Sequence, residues 1–363
     1  MRVALVSTGL GRVLRGFESF TESLFHALRS QVPGMDVILF QGGGKPDERR
    51  VVVPNLHRYD APARWLGYYK GNQLEKRTFA MALYPVLRLG RFDLVHYNEV
   101  VMGSALFHLR RHFGGRFRLL YCDGGLAMPC HYHHRCDFAQ TLTPAAYEDA
   151  TAFGISSTRL FLLPYGVDSD RFSPDCRSGR TEARKKLGIP DNARVVLTIA
   201  ALDRKTKRLD YLIREVSQLN ETVWLVAAGQ RTEDTRSLEQ EAERLMPGRW
   251  RFVSWPQADI PALYGAADQF VLASLKEGFG LVTVEAMLSG LPVAIHNGPV
   301  FQWVAKDTSA QLLDMSVEGN LARALQQGLS SRTDAGSRAR AAERFSWNSL
   351  VPEYLKMYER VCA

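Results

Sequence analysis

Two carboxylates eight positions apart, Glu277 and Glu285, bracket the segment Lys276-Glu277-Gly278-Phe279-Gly280-Leu281-Val282-Thr283-Val284-Glu285-Ala286-Met287. The apolar run before it, Phe270 to Ser274, reads as a buried strand. The stretch after Gly280 reads as an apolar helix, and Leu291 to His296 as a second buried strand. The pattern therefore places a glycine-containing strand-to-helix turn between the two acids. In open α/β sheets such a turn lies at the carboxyl edge of the strands, where ligands bind. The free N–H groups of a helix start, here near Phe279, Gly280 and Leu281, attract phosphate or hydroxyl oxygens. A carboxylate just inside the helix suits a ribose diol, because it accepts two hydrogen bonds side by side.

A second cluster is cationic. Arg204-Lys205-Thr206-Lys207-Arg208 follows a strand-like run and precedes the helical stretch Leu209 to Val216. Cations at a helix start repel one another and oppose the helix dipole. Either an anion belongs there or the turn is a solvated basic bend; its place in the same domain as the Glu277 turn favours the anion. In the first half of the chain, His96, Glu99 and Asp123 fall near strand ends and together mark one rim. Each residue alone also suits a structural role.

Three glycine- or cysteine-rich stretches are ambiguous. Gly9, Gly11 and Gly16 lie between a strand and a helix, but a dinucleotide fingerprint needs glycine where Leu14 stands. The stretch is either a flexible turn or an acceptor or phosphate loop served by Arg12 and Arg15. Gly42-Gly43-Gly44-Lys45-Pro46 fails the Walker pattern at Leu39 and Pro46 and reads as a surface turn. Cys130-His131-Tyr132-His133-His134-Arg135-Cys136, with Cys122, offers soft ligands, but its spacing matches no zinc pattern. It reads as a cleft-lining loop, and no metal or cofactor is expected.

These groups need a scaffold. Strand-like runs occur at Val3–Ser7, Asp36–Phe40, Arg50–Val53, Asp93–Tyr97, Arg118–Cys122, Gln140–Leu142 and Leu160–Leu163. A second series covers Val195–Ala200, Val223–Ala227, Arg251–Ser254, Gln269–Ala273, Pro292–Ile295 and Gln311–Leu313. Helix-spaced apolar residues alternate with them, such as Phe17, Phe20, Leu24 and Leu28. Such alternation predicts parallel sheets covered on both faces, and two series predict two sheets. The proline-, glycine- and aspartate-rich stretch from Pro164 to Asp175 marks the crossing between them. The expected division is an N-terminal domain over 1–168, a C-terminal domain over 169–345 and a last helix over 346–363.

A chain of 363 residues with 46% hydrophobic and 23% charged content is a globular protein of two domains. No apolar run approaches the roughly 20 residues of a membrane span, and the N-terminus begins directly with a strand instead of a signal peptide. Five cysteines without framework spacing fit a reducing cytoplasm. The net charge of +8 has two readings, a solvated arginine-rich surface or an anionic partner. No nucleic-acid-binding motif accompanies it. Trp65, Leu66, Tyr68, Tyr69, Lys70, Lys76, Arg77 and Phe79 mix aromatic and basic residues, which suits peripheral contact with an anionic membrane or a helix packed on a rim.

With these residues assembled, the chain resembles the retaining glycosyltransferases of family 4, which have the GT-B fold. Glu277 to Glu285 matches that family's E-x7-E motif, and Lys207-Arg208-Leu209-Asp210-Tyr211-Leu212-Ile213 resembles its K-[GR]-x-D-x-L-I stretch. Leu163-Pro164-Tyr165-Gly166-Val167-Asp168 resembles its crossover, and Phe345-Ser346-Trp347 the start of its last helix. The resemblance implies two doubly wound Rossmann-like domains facing across a cleft, with the last helix crossing back. It implies a nucleotide diphosphate sugar as donor, held by Glu285 at the ribose, Glu277 at the sugar, Arg204 and Lys207 at the diphosphate, and Phe279, Gly280 and Leu281 through the backbone. It further implies metal-independent transfer with retention to a glycan, lipid-linked or small-molecule acceptor. Gly11, Arg12, Gly16, His96 and Glu99 would be on the acceptor side or in the cleft, and Asp123, Glu277, Arg204 and Lys207 would be catalytic. Asp123 stands where the family usually has a histidine, and Arg15-Gly16-Phe17-Glu18 has one glycine fewer than the family's G-G-x-E. A nucleotide-sugar epimerase on the same fold and a non-catalytic nucleotide-sugar-binding protein are the competing readings.

Overall fold

The computed structural model describes residues 1–13, 16–124, 135–328 and 335–363. The chain divides into two compact units. One is Met1–Gly166 together with Trp347–Ala363; the other is Val167–Ser346.

The first unit runs β1 (Arg2–Ser7), α1 (Gly16–Gln31), β2 (Asp36–Gln41), β3 (Arg50–Val52), α2 (Gly67–Leu89), β4 (Leu94–Tyr97), α3 (Val100–Phe113), β5 (Arg118–Cys122), β6 (Phe138–Thr141), α4 (Pro144–Ala152) and β7 (Leu160–Leu162). Its seven strands lie in the order β3-β2-β1-β4-β5-β6-β7, every pair parallel. The order reverses between β1 and β4, which opens a crevice at their carboxyl ends. Phe79, Leu83 and Leu87 of α2 and Met102 and Leu106 of α3 are buried in one core cluster with Val6, Phe40, Val95 and Leu119 of the sheet.

The second unit runs α5 (Arg180–Leu187), β8 (Arg194–Ile199), α6 (Leu209–Ser217), β9 (Val223–Ala228), α7 (Thr235–Leu245), β10 (Trp250–Val253), α8 (Ile260–Ala266), β11 (Gln269–Leu272), α9 (Leu281–Leu288), β12 (Val293–His296), α10 (Pro299–Val304), β13 (Gln311–Leu313), α11 (Asn320–Gly328) and α12 (Ala335–Phe345). Its six strands take the order β10-β9-β8-β11-β12-β13, again all parallel. Here the order reverses between β8 and β11. The edge of the unit is clamped by Arg184, buried on α5. Its guanidinium donates to the carbonyls of Asp191 at 2.6 Å, Ala193 at 2.9 Å and Ala266 at 3.0 Å, and to Asp268 Oδ2 at 2.9 Å. Gly188 ends α5 in the left-handed conformation, its N–H bonded back to Arg184 and Lys185.

The closing helix, α13 (Trp347–Cys362), is part of the first unit. Its Trp347 Nε1 donates to Ser23 Oγ of α1 at 2.5 Å, and Tyr354 Oη donates to the carbonyl of Pro164 at 2.9 Å. Each expected strand is present, with ends displaced by at most two residues. Strands covered on both faces must be apolar throughout, so they stand out in the sequence as unbroken runs. Among the described residues, no helix is long and apolar enough to cross a membrane.

Candidate functional site

The site in the second unit is built on its strand-order reversal. β8 feeds the bend Ala200–Arg208 before α6, and β11 feeds the turn Ser274–Gly280 before α9. Lys207 Nζ forms an ion pair with Glu277 Oε1, joining the two loops over the crevice. Asp203 shapes the bend. Its Oδ1 accepts the N–H groups of Thr206 at 2.6 Å and Lys207 at 2.9 Å, and its Oδ2 accepts the Thr206 hydroxyl at 2.5 Å. Burial would push the Asp203 carboxyl up, but the Thr206 and Lys207 donors outweigh it and hold it below its ordinary range.

Arg204, Lys207 and Arg208 of this bend each have a partner. Arg208 adopts a left-handed backbone at the start of α6. It donates to the Met315 carbonyl at 2.7 Å and lies 4.4 Å from the centre of the Tyr211 ring. Arg204 turns toward α7, where it bonds Glu241 Oε2 at 2.7 Å and Ser237 Oγ at 3.3 Å. The repulsion expected among these cations is therefore relieved by separate partners, and Arg204 and Lys207 point to different carboxylates. Lys205 is exposed.

The second carboxylate is prepared differently. Gly280 has φ +80° and begins α9; a Cβ there would lie 3.1 Å from the Phe301 ring as well as straining the backbone. Phe279 turns its ring inward against Phe345, with ring centres 5.5 Å apart, so the chain around it can offer only backbone groups. Leu281 opens α9. Within that helix, Glu285 Oε2 accepts the Tyr264 hydroxyl of α8 at 2.7 Å, and the same hydroxyl lies 3.2 Å from the Val282 carbonyl. Burial raises the Glu285 carboxyl above its ordinary range, while Tyr264 and the charge of Arg171 oppose the rise. Tyr264 was not read from the sequence. It lies one helix and one strand earlier, and no spacing rule links it to Glu285. Ser274 Oγ and Thr283 Oγ1 are also buried in this turn without a hydrogen-bond partner among the described residues.

The first unit uses its own reversal point in another way. Glu99, after β4, accepts both the N–H of Thr8 at 2.7 Å and its hydroxyl, and Lys76 Nζ lies 3.7 Å from Glu99 Oε1. Glu99 thus bridges β1 and β4 instead of standing open on a rim. His96 is likewise not on the rim. It is buried against α13, with Nδ1 2.8 Å from Tyr358 Oη, and desolvation lowers its pKa to about 3, so it is neutral. Asp123 is buried at the end of β5 and its N–H donates to the Gln140 carbonyl at 2.8 Å.

The Gly42–Gly44 stretch is more than a surface turn. Gly42 and Gly43 are buried against the loop after β1, where a Cβ on Gly11 would come within 2.3 Å of Gly43. Arg12 lies over Gly43, its Nη1 3.7 Å from Glu75 Oε1, while Glu75 Oε2 accepts from Arg58 Nε at 2.6 Å. Gly16 starts α1. Arg15 and the 130–134 stretch lie outside the described residues. Cys122 and Cys136 are buried, and desolvation pushes the Cys136 thiol up to about 12. Among the described residues, no group of His, Cys, Asp and Glu could hold a metal ion.

Residues 179–345, which contain the Lys207, Glu277 and Glu285 loops, match the family described as Glycosyl transferases group 1. The chain is 31% identical over 229 residues to the D-inositol 3-phosphate glycosyltransferase of Salinispora arenicola, an alignment covering 57% of this chain and 50% of that protein. The chain thus spans about half the length of the first curated relatives it matches. It is 29% identical over 422 aligned positions to the MMP alpha-(1->4)-mannosyltransferase of Mycolicibacterium hassiacum, covering 100% of this chain and 99% of that one. Among solved structures, the sucrose-phosphate synthase of Thermosynechococcus elongatus superposes with a TM-score of 0.79 at 20% identity, covering 99% of this chain and 98% of that one. Anabaena Alr3699/HepE in complex with UDP and glucose gives 0.78 at 18% identity, covering 99% of each chain. The fold is GT-B: two parallel-sheet Rossmann-like domains.

Proposed function

We propose that this chain is a retaining, metal-independent glycosyltransferase of family 4 that moves a sugar from a nucleotide diphosphate sugar to a hydroxyl acceptor. One observation carries the reading: Lys207 and Glu277 pair across the strand-order reversal of the second unit, beside the start of α9. Glucose and UDP are bound by the Anabaena neighbour, residues 179–345 match the Glycosyl transferases group 1 family, and the similar curated proteins are named as glycosyltransferases. In this reading the second unit, 169–345 in the sequence division, holds the donor, and the first unit holds a glycan, lipid-linked or small-molecule acceptor. Peripheral contact with an anionic membrane on the cytoplasmic side is proposed separately from this transfer.

The chemistry is electrostatic. Cleavage of the glycosyl–phosphate bond leaves negative charge on the diphosphate. In this reading Lys207 and the backbone N–H groups at the start of α9 stabilise that charge, and one such donor can be worth roughly 3 kcal/mol. Arriving phosphate competes with Glu277 for Lys207 and frees that carboxylate for the sugar hydroxyls. Glu285, steadied by Tyr264, takes the ribose diol. Arg204 reaches phosphate only by leaving Glu241. The acceptor attacks from the face the diphosphate leaves, and the departing oxygen takes the acceptor's proton.

A thermal-shift series with UDP-, GDP-, ADP- and dTDP-sugars identifies the donor, because a bound ligand raises apparent stability by mass action. With that donor, Glu285→Ala weakens binding by about tenfold or more, the scale of a lost charge-assisted hydrogen bond, and Lys207→Ala lowers kcat by about a hundredfold. Near-normal kinetics in both variants would remove the site assignment. Epimerised sugar accumulating from donor without acceptor would replace transfer with isomerisation.

A further inference from the structure

The excess charge of this protein is not spread over its surface. Residues 61–118 hold ten Lys and Arg against three Asp and Glu, a balance of +7. Since the whole chain carries +8, all other positions together amount to +1. Each of the three acids of the segment has a partner, and two of them are buried. Glu75 is buried with Arg58, Glu99 is buried on Thr8, and Asp93 accepts the N–H of Arg2 at 2.7 Å. Of the cations, Arg110 is bound to Asp137 and Lys76 lies near Glu99. Arg64, Lys70, Arg77, Arg88, Arg91, Arg111, Arg116 and Arg118 remain exposed.

Large apolar side chains are exposed in the same place. Trp65 is 73% exposed, Tyr69 72%, Tyr68 61%, Met81 63% and Leu89 80%. On α2, Lys70, Leu74, Arg77, Met81, Pro85 and Arg88 recur at steps of three and four residues, so they form one outward stripe opposite the buried Phe79, Leu83 and Leu87. The stripe mixes three cations with three apolar residues. The tip of the helix is held in place from below: Arg58, fixed by Glu75, donates to Tyr68 Oη at 3.3 Å. At the other end, Phe113 of α3 is exposed beside Tyr84, with ring centres 6.3 Å apart.

We propose that the outer face of α2, with the turn at Arg64–Leu66 and the end of α3, is a docking surface for an anionic phospholipid bilayer. Charge complementarity selects this occupant. Each Lys or Arg near an anionic leaflet attracts it, and Trp and Tyr sit at the headgroup level with their rings in the acyl boundary. A nucleic-acid duplex would make use of the cations but not of Trp65, Met81 and Leu89. The proposal stands without the glycosyltransferase reading, since its test involves no turnover.

The test is co-sedimentation of the full chain with vesicles of phosphatidylcholine alone or with phosphatidylglycerol, at low and high salt. Binding is expected only to the phosphatidylglycerol vesicles, and it weakens as salt screens the cations. The exposed triple variant Lys70→Glu/Arg77→Glu/Arg88→Glu loses about tenfold or more in affinity. Trp65→Ser/Tyr69→Ser weakens binding and removes the vesicle-induced blue shift of tryptophan emission. Circular dichroism unchanged in both variants shows that folding is intact. No binding to phosphatidylglycerol vesicles at low salt overturns the proposal, as does binding that neither variant alters. A dimer in sedimentation that these variants break, without vesicle binding, overturns it in favour of a second copy.

Discussion

At the scale of single residues, two carboxylates that look alike in sequence receive opposite treatment. Glu277 is neutralised by a lysine it reaches over the crevice. Glu285 is desolvated, and its ionised form depends on the Tyr264 hydroxyl and the charge of Arg171. A folded carboxyl raised above its ordinary value favours the folded state below that value, and the benefit is lost as pH rises through the raised one. In the proposed role of Glu285 at the ribose, donor binding has the opposite sense, because the diol is held best by the ionised carboxylate. Donor affinity is therefore expected to fall as pH drops through the raised Glu285 value, at a higher pH than for an ordinary glutamate. In Tyr264→Phe that midpoint moves further up and affinity drops by about 1.5–3 kcal/mol, the cost of a hydrogen bond to a charged group. Isothermal titration of the donor nucleotide over a pH series checks both. A midpoint unmoved by Tyr264→Phe contradicts the positioning role.

At the scale of elements, the strand-to-helix loops decide what each reversal point can do. In the second unit the loop after β8 presents Lys207 on a bend tied by Asp203, so the cation is held against Glu277. In the first unit the loop after β1 is packed on Gly42 and Gly43, and Glu99 holds Thr8. This loop packing needs glycine. Gly11→Ala puts a Cβ within 2.3 Å of the Gly43 carbonyl group at a backbone with φ +82°. It is expected to destabilise by more than about 1 kcal/mol, above the ordinary cost of alanine at positive φ; urea unfolding monitored by circular dichroism measures this. Gly34→Ala, with φ +91° but nothing within 4 Å of the added Cβ, loses less, which separates crowding from backbone strain.

At the scale of the molecule, the last helix is what makes the first unit a composite of both ends of the chain. Trp347 covers Gly166, stacks near Phe20 at 6.2 Å and bonds Ser23. Trp347→Ala is expected to cost about 3–5 kcal/mol, as for a large buried aromatic, read as a lower Tm by calorimetry. The strand runs, the two parallel sheets and the Glu277–Glu285 turn were legible in the sequence because local rules write them; the GT-B fold class came with the family resemblance. Buried parallel strands must be apolar, a helix start must follow its strand, and a glycine must occupy a left-handed turn. The membrane-like mixture at Trp65–Phe79 was legible as composition, but its outward stripe was not. Tertiary structure alone decided that His96 faces Tyr358, that Glu99 serves Thr8, that Arg204 leaves the bend for Glu241, and that Tyr264 steadies Glu285. The reason is physical: a side chain's partner across 21 to 262 positions is chosen by packing, burial and charge in space, and none of these is encoded in the spacing of neighbours along the chain.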